Sequence, residues 1–273
     1  MKIFIGAHWP HHIHKWLLNL ITYLRHNGIG VDYQTKFNGG VDMAERASKS
    51  DIVIIWNGEE ECYLPTKLVC KENNIPCYIA EVGYFPQHKF FILDTVGINA
   101  SSSLMNDDLS WITEKHMEKA KKRKVALMGK RKRIAGDYTF VPLQYYRDTN
   151  ITHHSPFKDM FSFINHVEMK FRGDNVIFKR HPRDKTIYNS KFPVVTSGSS
   201  IDYVLRCKNV YGINSTVLFE AALFGVPVES IGDGLLRAHR GNYDKIVAAL
   251  VDREIPVNTT NLDYWIRPII EGQ

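Results

Sequence analysis

The apolar positions change period repeatedly along the chain. KIFIGA (2–7) reads as a strand, and HHIHKWLLNLITYLRHNG (11–28) then sets Ile13, Trp16, Leu17, Leu20, Ile21 and Leu24 at helical spacing before Gly28 stops it. IGVDY resumes as a strand. The continuous run DIVIIW (51–56) and the short PCYIA (76–80) have the pattern of buried parallel strands, with a helix from about Leu64 to Asn73 between them. This βαβ rhythm predicts a doubly wound, Rossmann-like sheet. Between Asp107 and Arg133 the strand pattern stops and a charged helix takes over. The rhythm then returns: YTFVPLQ, a helix around 157–172, DNVIFK, FPVVT, a short helix from Ser200, KNVYGI, a helix from Ser215 to Phe224, VPVES, and a helix from about Asn242 to Val251. The predicted organisation is an N-terminal Rossmann-like domain over 1–106, a basic helical linker over 107–136, a second Rossmann-like domain over 137–255, and a tail over 256–273. In that tail, LDYWIRPII forms a helix packing back toward the N-terminal domain. Two such domains predict a ligand cleft where the carboxyl ends of both sheets face each other.

The length of 273 residues suits two cores of roughly 130 residues each. A hydrophobic fraction of 44% and a charged fraction of 23% are those of a globular protein, which excludes disorder, and no apolar run approaches the roughly 20 residues of a bilayer span. The opening MKIFIGAHWP lacks the apolar core of a secretory signal, so the expected location is cytoplasmic. Cys62, Cys70, Cys77 and Cys207 show no CxxC spacing and are expected as reduced thiols. The net charge of +6 points to an anionic partner.

Chemistry is expected at the strand ends. In FKRHPRD (178–184), His181 falls at the carboxyl end of a strand, and Pro182 holds it in extended geometry. There an imidazole can donate to a phosphate oxygen while Lys179, Arg180 or Arg183 adds charge; a turn of solvated basic residues is the alternative. In YGINSTVLFEAALFGVPV (211–228), Asn214 is placed to cap and Ser215 and Thr216 open a helix whose free N–H groups suit a phosphate. Glu220 lies one turn inside, within reach of a ribose. A well-capped crossover helix would explain the same caps. In AEVGYFP, Glu81 follows a strand, and Gly83 lets the chain turn. Glu81 is a candidate general base or nucleophile, Asp94 is a second, and a surface carboxylate is the alternative for each. His8 and His12 have i, i+4 spacing, but Pro10 interrupts it and no further ligand completes a metal set, so no metal is expected. Gly6 and His8 are instead placed on a loop bordering an acceptor. Ten Lys or Arg lie between Lys115 and Arg133. Lys121, Lys122, Arg123, Lys124, Lys130, Arg131, Lys132 and Arg133 among them form either a solvated helix face or contacts to a phosphate backbone.

Taken together, EVGY with DTVGI, VPLQYYRDTNI, KRHP and NSTVLFEAALFGVPV resemble, in this order over roughly 77–236, the capsule polysaccharide biosynthesis family, which includes Kdo transferases. The resemblance implies a GT-B fold and a sugar-nucleotide donor (UDP-, GDP- or CMP-linked) held by the C-terminal domain, with no further cofactor. It implies that His181, Ser215, Thr216 and Glu220 face this donor, that Glu81 is the reacting carboxylate, and that Gln144 matches a glutamine of the strand opening the C-terminal domain. Small proteins with this core also resemble phage enzymes that glycosylate hydroxymethylated pyrimidines in DNA. The basic tract favours such DNA as the acceptor over a capsule or lipopolysaccharide glycan, although an anionic membrane surface uses the same charge. The expected function is therefore a metal-independent glycosyltransferase. A non-catalytic sugar-nucleotide-binding module and an epimerase of the same fold are the alternatives.

Overall fold

A computed structural model describes residues 1–6, 11–34, 40–58, 61–146 and 148–272. The chain divides into two compact units, Met1–Leu104 with Arg253–Gln273, and Met105–Asp252.

In the first unit the elements run β1 (Lys2–Gly6), α1 (His11–His26), β2 (Gly30–Tyr33), α2 (Gly40–Ser48), β3 (Ile52–Trp56), α3 (Leu64–Glu72), β4 (Cys77–Val82) and β5 (Phe90–Asp94). The sheet order is β2-β1-β3-β4-β5, closed at the β5 side by β11 (Ile255–Pro256) from the C-terminal segment. β3 is buried along its whole length because helices cover both faces of a central parallel strand. Trp16, Leu17, Leu20, Ile21 and Leu24 of α1 are buried in the same core, and each such burial contributes about 1.5–3 kcal/mol. The sheet is parallel except at one edge, where β5 and β11 run antiparallel to their neighbours. The connection from β4 to β5, GYFPQHK, carries no helix long enough for a parallel crossover, so the chain doubles back. α11 (Leu262–Glu271) buries Leu262 and Ile266 in this unit's core, and Tyr23 donates to Asp263 at 2.6 Å.

The second unit contains α4 (Glu114–Met128), β6 (Thr139–Pro142), α5 (Thr149–Thr152), α6 (Met160–Lys170), β7 (Val176–Lys179), β8 (Val194–Val195), α7 (Ser200–Arg206), β9 (Asn209–Gly212), α8 (Thr216–Phe224), β10 (Val228–Ser230), α9 (Leu235–Ala238) and α10, which runs on to Arg253 from Tyr243. Its five parallel strands are ordered β10-β9-β6-β7-β8. Successive connections lead from β6 outward to β7 and β8, then cross to β9 and β10. The winding thus reverses between β6 and β9, the place where such sheets open a crevice for ligands.

The basic segment expected as a linker is built into this second unit. Ala120 is buried, the Lys124 ammonium donates to the Phe224 carbonyl at the end of α8 (2.8 Å), and Lys119 bonds Asp252 (2.9 Å). After α4, Arg131 bonds Asp202 (2.8 Å) and Arg133 donates to the carbonyls of Val204 and Cys207 at the end of α7. Cations belong there because helix C-termini leave carbonyls unsatisfied and carry partial negative charge. Among the described residues no helix is long and apolar enough to cross a membrane.

Candidate functional site

Gln144 follows β6 and Asn214 follows β9, so both stand where the winding of the second sheet reverses. They are joined directly: the Asn214 backbone N–H donates to Gln144 Oε1 at 3.4 Å, and the Asn214 amide donates to the Asp233 carbonyl at 3.2 Å. The cap of α8 is Ser215, one residue later than expected of Asn214; its hydroxyl accepts from Val217 N–H at 3.4 Å. Asn214 instead ties the strand end to β6. The loop passing over this junction needs Gly232, where a Cβ would stand 2.5 Å from Ile213 Cγ2 and 3.0 Å from the His154 carbonyl.

α8 is apolar almost throughout. Leu218, Phe219, Ala221, Ala222, Leu223 and Phe224 are buried, and Glu220 is its one charged residue. Burial raises the Glu220 carboxyl to about 7. A half-buried carboxyl in this state can accept or donate a hydrogen bond near neutral pH, which suits the hydroxyls of a sugar or ribose.

FKRHPRD is a β-turn. Asp184 N–H donates to the His181 carbonyl at 2.9 Å, with Pro182 in the second position that its fixed φ favours. Asp184 holds the turn from inside, accepting from Thr186 N–H at 2.9 Å and from the Tyr188 hydroxyl. Arg183 N–H donates to His181 Nδ1 at 3.2 Å, so in the neutral ring the proton sits on Nε2. Burial, reinforced by Arg183, pushes the imidazole below its ordinary pKa, against the pull of Asp148 and Asp184. His181 is therefore a neutral N–H donor at physiological pH. Lys179 and Arg180 are occupied in the scaffold: Lys179 is buried and donates to the Ser197 carbonyl at 3.3 Å, and Arg180 donates to the Thr186 carbonyl at 3.1 Å.

His181 and the start of α8 belong to strands on opposite sides of β6, roughly 10 Å apart at strand spacing. Gln144 fills the position between them. The sequence reading did not select Asp148, which accepts from the Gln144 amide at 3.2 Å, although an Asp four residues after the strand-end Gln was a visible signal.

In the first unit Glu81 lies near the carboxyl end of β4. Asn57 donates to its Oε2 and Val82 N–H to its Oε1, each at 2.8 Å. Asn57 takes a positive φ of 65° and Gly58 one of 70°, so the NG turn after β3 aims that amide. Gly83 is needed for room, since its φ is not positive: a Cβ would stand 2.7 Å from Phe90 Cβ and 2.8 Å from Glu254 Oε1. That buried Glu254 carboxylate accepts from the N–H groups of Tyr84 and Phe85. Asp94, the second candidate carboxylate, is committed to structure. It is buried and accepts from Val96, Gly97 and Ser103 N–H, from the Ser102 and Ser103 hydroxyls, and from Arg253. Gly6 ends β1 where the winding of the first sheet reverses, and His8 lies outside the described residues. A hollow of about 330 Å³ lined by Lys67, Cys70 and Cys77 opens at the amino end of β4, away from Glu81.

Of the basic residues, Lys124, Arg131 and Arg133 are bonded within the unit as described, and Lys121 pairs with Glu118. Lys122, Lys130 and Lys132 are exposed to solvent.

The family described as Capsule polysaccharide biosynthesis protein matches residues 106–238. Protein FixF of Sinorhizobium fredii is 28% identical over 203 residues, which are 67% of this chain and 48% of that protein; the chain thus spans about half the length of that relative. Two solved structures from Thermosulfurimonas dismutans resemble it in fold. The KpsC beta Kdo 2,7 transferase has a TM-score of 0.65 at 14% identity, covering 99% of this chain and 100% of that one. The KpsC beta Kdo 2,4 transferase has a TM-score of 0.60 at 17% identity, covering 91% and 90%. The fold is GT-B.

Proposed function

From a chain whose residues 106–238 match the capsule polysaccharide biosynthesis family and whose fold is GT-B, we propose a glycosyltransferase that moves a sugar from a nucleotide donor to a hydroxyl of a capsule-type glycan. The donor binds the second unit at the carboxyl edge of its sheet. His181 Nε2–H and the N-terminus of α8 take the donor phosphate, where negative charge grows as the sugar leaves, and fixed donors in a partly dehydrated site act on that charge without reorganising. Glu220 takes ribose hydroxyls. Glu81, oriented by Asn57, acts on the acceptor hydroxyl or the anomeric carbon. The observation that carries this reading is the bond from Asn214 N–H to Gln144 Oε1. It ties the start of α8 to the strand beside His181, at the reversal point and inside the family's matched stretch.

The glycan acceptor replaces the DNA acceptor that the charge first suggested. The family and the fold neighbours are those of capsule and Kdo chemistry, and four of the eight cations proposed for DNA are held by protein groups. A Kdo-type acidic sugar as the transferred group is the finer form of the same reading, and no metal is assigned a role.

The test incubates the protein with CMP-, UDP- and GDP-sugars and either a capsule-type oligosaccharide or hydroxymethylated DNA, and weighs the products. One added sugar residue on the oligosaccharide, with DNA unchanged, is the expected result. Transfer to DNA, or conversion of the donor without an acceptor, overturns the glycan assignment.

A further inference from the structure

Beyond β6 and β7 the same backbone bond recurs: Asp148 N–H donates to the Tyr145 carbonyl at 2.8 Å, and Asp184 N–H donates to the His181 carbonyl at 2.9 Å. Each bond runs from an aspartate back to an aromatic residue. β6 and β7 are adjacent, so the two rings stand side by side, Tyr145 and His181 being 6.3 Å apart between centroids and inclined at 59°. Tyr145 is 36% exposed, so part of its ring stays open to solvent beside His181. Tyr146, 5.2 Å from Tyr145 between centroids, lies against it.

The strand order gives this ring its place. His181 and the start of α8 flank β6, so a ligand that reaches both must cross the end of β6, and Tyr145 is the first residue beyond Gln144 there. A phosphate and a ribose have no flat face to offer it. The base of a nucleotide does, and it stands one ribose away from the phosphate, as Tyr145 stands one strand away from α8. We propose that Tyr145 is the platform on which the base of the donor nucleotide stacks. This rests on the donor site described above and assigns the base a residue there. Stacking on an aromatic ring tolerates every base, since each has a π-face.

The experiment measures equilibrium binding of CMP, UMP, GMP and ribose 5-phosphate to the full chain, wild type, Tyr145→Ala and Tyr145→Phe. The wild type is expected to bind at least one nucleotide about 5- to 150-fold more tightly than ribose 5-phosphate, the range of a single base–aromatic stack. Tyr145→Ala is expected to bring that nucleotide down to the level of ribose 5-phosphate while leaving ribose 5-phosphate itself unchanged, and Tyr145→Phe to retain the preference. A preference that survives in Tyr145→Ala, or an equal loss of both ligands, overturns the platform and leaves the donor site standing. Failure of the wild type to bind any of the four removes the donor site, and the platform with it.

Discussion

His181 carries most of the proposed mechanism in one side chain. Its Nδ1 accepts from Arg183 N–H, its pKa is held below the ordinary imidazole value, and Nε2 is left with the proton. In the proposed function His181→Ala removes one preorganised donor to the departing phosphate and is expected to lower the turnover rate about 100-fold, measured as product formed at saturating donor. Glu220 makes a separate prediction through pH. Its carboxyl stays protonated in the folded chain up to about 7, whereas in the unfolded chain it ionises near 4.5. Between those values the folded state binds the extra proton, so this group makes stability fall as pH rises. Replacing it by Gln is expected to reduce the loss of melting temperature between about pH 5 and about pH 8; an unchanged slope would show that the carboxyl is solvated. The sequence made His181 and Glu220 visible because both lie in motifs at strand ends. It left Tyr145 unmarked, since its nearness to His181 depends on β6 and β7 being neighbours, a pairing that no local pattern states; Asp148 was legible only through its four-residue spacing from Gln144.

At the scale of elements, most strands and helices were legible because their apolar periods are long and clean, as in β3 and α1. β5 and β11 were not. FFILD is as apolar as a parallel strand, and only the absence of a crossover helix before it betrays the reversal; β11 is two residues long and stands only through its pairing with β5. Gly83 reads as a turn glycine, yet its need is space against Phe90 and Glu254. Gly83→Ala is expected to cost about 1–3 kcal/mol in a denaturant titration, the usual range for overpacking. The basic tract was misleading in another way. Its charges suggested a solvated linker or a nucleic-acid surface, whereas Lys124 and Arg133 serve the carbonyl ends of α8 and α7. Replacing those two by Ala is expected to destabilise the chain by about 1.5–3 kcal/mol each, while Lys122, Lys130 and Lys132, exposed on the surface, cost less than about 0.5 kcal/mol each.

At the scale of the whole molecule, each unit is an α/β sheet that gathers candidate chemistry at its carboxyl edge: Asn57 and Glu81 in the first, Gln144, His181 and the start of α8 in the second. The proposed function assigns the donor to the second unit and the reacting carboxylate, Glu81, to the first. Charge informs this picture less than topology, because +6 over 273 residues is compatible with many anions. The most direct measurement is release of nucleotide from the sugar donor, followed with and without capsule-type oligosaccharide, in the wild type and in His181→Ala. Release is expected to require the acceptor and to drop about 100-fold in the variant. Release that proceeds equally without acceptor, or that is unaffected by the loss of His181, would contradict it.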